Sequence, residues 1–270
     1  MADVSLVDVP LYREDVPAVT DVKRGVYRDL ISAARFFADR ARDVEEQAQR
    51  ADHSAPEFVA VRHRAYVTGS ILAAVAFLEA SINELYLEFH GTRSRERTQL
   101  PRRVAAILGR VWSHVDNAPL LQRYQAVLAV ADAERFDERR APFQDADSLL
   151  KLRDALVHCR PERVESRRRI RLLEQRLHQR FAVNLLAPAD GPWFPDICLS
   201  TACAEWAVQT ANTFSDDFCR RMALPQRGLE LKDVDARRGT GAHRAAERFG
   251  ERLAPESAVV PNEPHTRQAR

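Results

Sequence analysis

A chain of 270 residues with 45% apolar and 30% charged residues has globular composition and is long enough to bury one large core or two small ones. Glycine (9) and aromatic residues (7%) are scarce and clear period-two alternation is missing, which excludes a sheet-rich design and predicts mostly helix. A net charge of +2 excludes nucleic-acid binding by overall charge and leaves only local patches for it, and the excess of 38 Arg over three Lys matches the usage of high-GC bacterial coding.

Residues 1–25, with Pro10 and Pro17 and little periodicity, are expected to form an N-terminal arm. From Val26 to about Gln49, Leu30, Ala34, Phe37, Ala41 and Val44 recur at helical spacing with charges between them, so an amphipathic helix is predicted there. DHSAP ends it. Phe58 to Phe89 reads as the central helix: Val67, Ile71, Leu78, Ile82, Leu85 and Phe89 make one strong face, and Ala, Gly69 and Ser fill much of the rest. Small residues on the second side let another helix approach closely. Glu79 and Asn83, one turn apart, are its polar pair.

An arginine-rich loop, HGTRSRERTQLPRR, leads into two shorter predicted helices at Val104–Trp112 and Leu120–Asp132. ERFDERRAPFQDAD is a connector, with Asp145 or Asp147 as the expected N-cap of the next helix. That helix ends close to His158, because Pro161 disfavours helical geometry at Arg160. A strongly basic segment follows, then the loop APADGPWFP and a further helix predicted from Asp196 to Leu224. Residues 26–224 are therefore expected to form one helical domain, and 225–270 a disordered tail.

Cys159, Cys198, Cys203 and Cys219 show no C-x-x-C spacing and read as reduced, mostly buried thiols, with no metal site or cofactor expected. The amino terminus lacks a basic-then-apolar signal pattern, and the longest uncharged apolar stretch, Ala65 to Leu78, is too short for a membrane span. A cytoplasmic protein with no membrane partner is the expectation.

The stretch DSLLKLRDALVHCRPE, Asp147 to Glu162, carries the chemistry. Arg153 falls inside a stripe of Leu149, Leu150, Leu152, Ala155, Leu156, Val157 and Cys159, and a guanidinium there needs an acceptor. His158 closes the helix. A neutral imidazole can take the proton of a ribose 2′-hydroxyl near neutral pH, and a guanidinium fork can hold phosphate oxygens as charge develops. Asp154 could orient either group, with Glu79 or Asn83 behind them. A structural alternative pairs Arg153 with a carboxylate such as Glu79 and leaves His158 to cap helix-end carbonyls.

Together with AVAFLEASINELY in the central helix, this stretch resembles the HEPN superfamily of α-helical bacterial proteins, whose signature is Arg, a polar residue, several residues, then His. The resemblance covers about residues 26–224 and includes FPDICLSTACAEWAVQTANTF as the last helix. It implies an all-α, HEPN-like helical bundle that dimerises. It also implies a metal-independent endoribonuclease in a toxin–antitoxin, phage-defence or RNA-processing setting, with RNA, a second copy and an antitoxin protein as partners. Arg153, Asp154 and His158 match the signature, although Asp154 stands where the family more often has Asn.

Helix geometry sets a condition on that site. Five residues turn a straight helix through about 500°, which leaves Arg153 and His158 roughly 140° apart. Either the helix unwinds before Pro161 or the site is shared across a two-fold interface. The basic run Arg160 to Arg180, with Arg160, Arg163, Arg167 and Arg168 at its start, is a candidate RNA-backbone track and equally a solvated helix face. The alternative function is a non-catalytic helical module that binds a partner protein, nucleotide or RNA.

Overall fold

The structure is a computed structural model and describes residues 25–50, 57–90, 102–158, 164–188 and 190–228. Among the described residues every regular element is a helix. The fold is all-α, a helical bundle, with α1 Val26–Arg50, α2 Glu57–His90, α3 Arg102–Val115, α4 Leu120–Val130, α5 Phe143–His158, α6 Val164–Leu177 and α7 Thr201–Arg221.

Its centre is a three-helix unit of α1, α2 and α7. On α1, Tyr27, Ile31, Ala34, Ala38, Ala41 and Val44 are buried at three- and four-residue intervals, the stripe a helix needs to lie against one neighbouring surface. On α2, Val67, Ser70, Ile71, Ala74, Val75, Phe77, Leu78, Ser81, Ile82 and Leu85 are all buried, so this helix is enclosed on more than one side. Its small residues allow the close packing. The ring of Phe37 on α1 lies against Gly69, where a Cβ would stand only 3.1 Å from it. Ser70 Oγ donates to the Ala34 carbonyl at 2.8 Å.

By length and composition α2 could cross a membrane, contrary to the expectation that its apolar stretch is too short. That expectation counted only the uncharged run; the helix extends well beyond it. Of its most apolar stretch, 56% is buried inside the bundle, as suits a central helix.

Where α1, α2 and α7 meet, a buried polar group ties them together. The Nε2 of fully buried His63 is 3.0 Å from Thr201 Oγ1 and 3.6 Å from Glu45 Oε2. Ser200 starts α7 by accepting from the Cys203 N–H at 2.9 Å. It donates to the Ala182 carbonyl at 2.6 Å, which fastens the preceding loop. Helix α7 thus begins at Thr201 rather than Asp196, because Trp193–Ile197 forms a separate wide turn in which Phe194 is extended. Cys198, Cys203 and Cys219 are free and buried.

Helices α4 and α5 complete the core around Phe214 of α7. Tyr124 and Phe136 lie 5.0 and 4.7 Å from it, and Phe143, the first residue of α5, lies 6.4 Å away. Phe136 comes from the connector, where Gln125 holds its backbone at both ends: Phe136 N–H donates to Gln125 Oε1 at 3.0 Å and Gln125 Nε2 to the Phe136 carbonyl at 2.9 Å. Helix α5 begins two residues before Asp145, so neither Asp145 nor Asp147 is its N-cap. Asp147 reaches instead to Arg176 of α6 and Asp145 to Arg180 in the turn that follows it.

The expected arm, 1–25, lies outside the described residues except for Gly25. Of the expected tail, residues 225–228 still pack on the bundle, Arg227 donating to the Ser81 carbonyl at 3.0 Å. The remainder, 229–270, lies outside the described residues.

Candidate functional site

Helix α5 buries Phe143, Ala146, Leu149 and Leu152, one residue per turn, against α2 and α7. This pins its inner face and sets where every other side chain points. Arg153 follows Leu152 on the flank of that face and is part-buried, at 32% side-chain exposure. Asp154, one step further round, is 56% exposed, and His158 is exposed at the end of the helix.

Helix α6 packs on α5 and lies on the outside of the bundle. Carboxylates on the first turns of α5 hold its far end and the turn after it: Asp147 pairs with Arg176 at 2.7 Å and Asp145 with Arg180, Asp147 also pairing with Lys151 of α5 itself. Leu173 and Leu177 are the buried residues of its inner face.

Between the two helices runs a groove of about 480 Å³. Lys151, Asp154, Ala155 and His158 line it from α5, a run spaced three, one and three residues apart that forms one helical stripe. Arg169, Leu172, Leu173 and Arg176 repeat the same spacing on α6, with Ile170 beside them. The floor is aliphatic and the rim carries charge. Lys151 and Arg176 share Asp147, whereas Arg169 has no ion pair among the described residues.

Of the residues singled out in the sequence, the groove brings together Asp154 and His158 and leaves out Arg153. Helix α5 runs unbroken to His158, so Arg153 and His158 remain roughly 140° apart around its axis. The charge partner of Arg153 is Asp154, with Nε 3.1 Å from Oδ1, rather than Glu79. That Nε is enclosed and makes no well-aimed hydrogen bond, so the pairing is mainly coulombic.

Glu79 and Asn83 lie on α2 away from the groove, and Asn83 Oδ1 accepts from Arg123 Nη1 at 3.3 Å. Arg167 and Arg168 are exposed on α6 beside the groove rather than in its lining. Arg160 and Arg163 lie outside the described residues. Sequence reading missed Lys151 and held Arg169 and Arg176 only as unnamed members of the basic run Arg160 to Arg180. The signal for them was the matched spacing of 151, 154, 155, 158 and 169, 172, 173, 176 on two consecutive helices.

Among the described residues, no three His, Cys, Asp or Glu side chains gather closely enough to hold a metal ion. No protein-family model, curated protein or solved structure matches the chain.

Proposed function

We propose that the chain is a HEPN-like, metal-independent endoribonuclease that acts on RNA in the α5–α6 groove, in the cytoplasm and as a homodimer. The observation that carries this reading is the exposure of His158 in a groove with a cationic rim, one turn beyond Asp154. A neutral His158 would take the proton of a ribose 2′-hydroxyl. The 2′-oxygen then bonds to the adjacent phosphorus as the bond to the 5′-oxygen breaks. The products are a cyclic phosphate and a 5′-hydroxyl, the leaving oxygen taking its proton from water. Guanidinium groups at the phosphate would stabilise the charge that develops on its free oxygens. Arg153 of the same chain points away, so the Arg–His pair of the signature would form only between two copies. A toxin–antitoxin or phage-defence setting, with an antitoxin protein as partner, fits an enzyme of this type.

Incubating the purified chain with RNA in the presence of a chelator tests the reading. Cleavage that leaves cyclic-phosphate ends and disappears in His158→Ala is the expected result. A second reading, a non-catalytic module that binds RNA, a nucleotide or a protein, is favoured by one observation: Arg153 lies outside the groove and is paired with Asp154. RNA that binds to the wild type and is never cut supports that module instead.

A further inference from the structure

We propose that Arg169 on α6, rather than Arg153, supplies the guanidinium that binds the same phosphodiester as His158, so that a single chain carries a complete phosphate site. The assignment rests on the RNA reading above and specifies its ligand contacts.

Three observations carry it. Arg169 and His158 line one groove, and Arg153 does not. The other two strong cations of that groove are engaged, since Asp147 pairs with both Lys151 and Arg176. Among the described residues Arg169 has no ion pair, so no described carboxylate competes with an incoming anion for its fork. Among the described residues Asp154 is the one carboxylate in the lining, and Arg153 lies 3.1 Å from it from outside. Arg153 therefore offsets the charge that would repel a phosphate, a positioning role exerted through Asp154. Among the described residues the floor of Ala155, Ile170, Leu172 and Leu173 holds no aromatic ring, so it offers a ribose or base apolar contact without stacking. A site of this kind recognises the backbone and discriminates little between bases.

The test uses the full chain and a fluorescein-labelled single-stranded RNA whose 2′-oxygens are methylated, so that binding is read without cleavage. Arg169→Gln is expected to weaken binding about ten-fold and to lower the dependence of log affinity on log salt by about 0.7, the loss of one phosphate contact. Arg153→Gln should change affinity less than about three-fold. Arg169→Lys should fall between wild type and Arg169→Gln, because it keeps the charge and loses the fork. Unmodified RNA in chelator should be cut more slowly by Arg169→Gln.

Equal binding by wild type and Arg169→Gln overturns the assignment and leaves the RNA reading standing. So does an Arg153→Gln loss as large as that expected for Arg169→Gln. A wild type that neither binds nor cuts RNA overturns both. Arg169 is exposed, so an unchanged helical circular dichroism spectrum and melting temperature should separate these outcomes from misfolding.

Discussion

Arg153 Nε lies 3.1 Å from Oδ1 of its chain neighbour Asp154, and Asp154 alone of the two enters the groove that holds His158. The pair is exposed enough that screening limits its worth to stability. Its effect falls on the potential inside the groove. Asp154→Asn should change stability by less than about 0.5 kcal/mol. The same change should tighten binding of 2′-O-methyl RNA several-fold, since it removes the only carboxylate in the lining among the described residues. If Arg153 acts through Asp154, Arg153→Gln should have no further effect once Asp154 is Asn, a non-additivity that a double-mutant cycle measures directly.

The α5–α6 hairpin is joined by Asp145 to Arg180 and by Asp147 to Arg176, while Lys151 shares Asp147 within α5. All of these side chains are partly in solvent, so removing them should cost little global stability. Local order should suffer more, because α6 packs chiefly on α5. In Asp145→Asn/Asp147→Asn, amide exchange across Val164–Leu177 should speed up while that of α2 is unchanged. Raising salt on the wild type should move α6 in the same direction. Uniform acceleration across both helices would show instead that the hairpin is part of the global core.

Long periodic elements were legible before any coordinates. The existence of α1, the two-sided burial of α2 and the helix reaching His158 all follow from apolar spacing and from Pro161, although the buried stripe of α1 runs through Ile31 and Ala38, with Leu30 and Phe37 only part-buried beside them. Tertiary contacts between short segments were not. Phe136 sits in a charged connector with no period, and tertiary partners explain its burial: Gln125, the rings of Phe214 and Phe143, and the Arg221 guanidinium over its face. Asp145 and Asp147 are good capping residues by type, but their carboxylates find Arg180, just past α6, and Arg176 on it. The site was half legible for the same reason. A motif on one helix says which residues share a face, but which face meets a second helix is decided by packing, and packing turned Arg153 away from the groove.

Phe214 has Tyr124, Phe136 and Phe143 around it and is fully buried. Phe214→Ala should destabilise the chain by about 3–5 kcal/mol, the transfer loss plus the cavity that these rings cannot refill. Tyr124→Phe keeps the ring contacts and removes only the hydroxyl that donates to the Leu78 carbonyl at 2.6 Å. Its cost should be about 1 kcal/mol. Chemical denaturation of both variants checks the pair, and similar losses would mean that the aromatic cluster is not the joint between α4, the connector and α7.

Glu45, His63 and Thr201 bring one residue each from α1, α2 and α7 to a buried point. Facing His63 is the largest influence on the Glu45 carboxyl and holds it below the ordinary carboxylate range; burial opposes this, and the Thr201 hydroxyl and backbone N–H support it. A carboxyl depressed on folding contributes stability that is fully present above its unfolded pKa and is lost as pH falls through the folded value. The contribution should therefore hold above about pH 4.5 and disappear below it. Glu45→Gln should lower stability at neutral pH by about 1–3 kcal/mol, since it weakens the partner of His63 and of the first turn of α7. In acid the variant and wild type should converge. Urea unfolding from pH 7 down to pH 3 reads both effects, and a difference that persists undiminished at pH 3 would mean that the ionised carboxylate is not what joins the three helices.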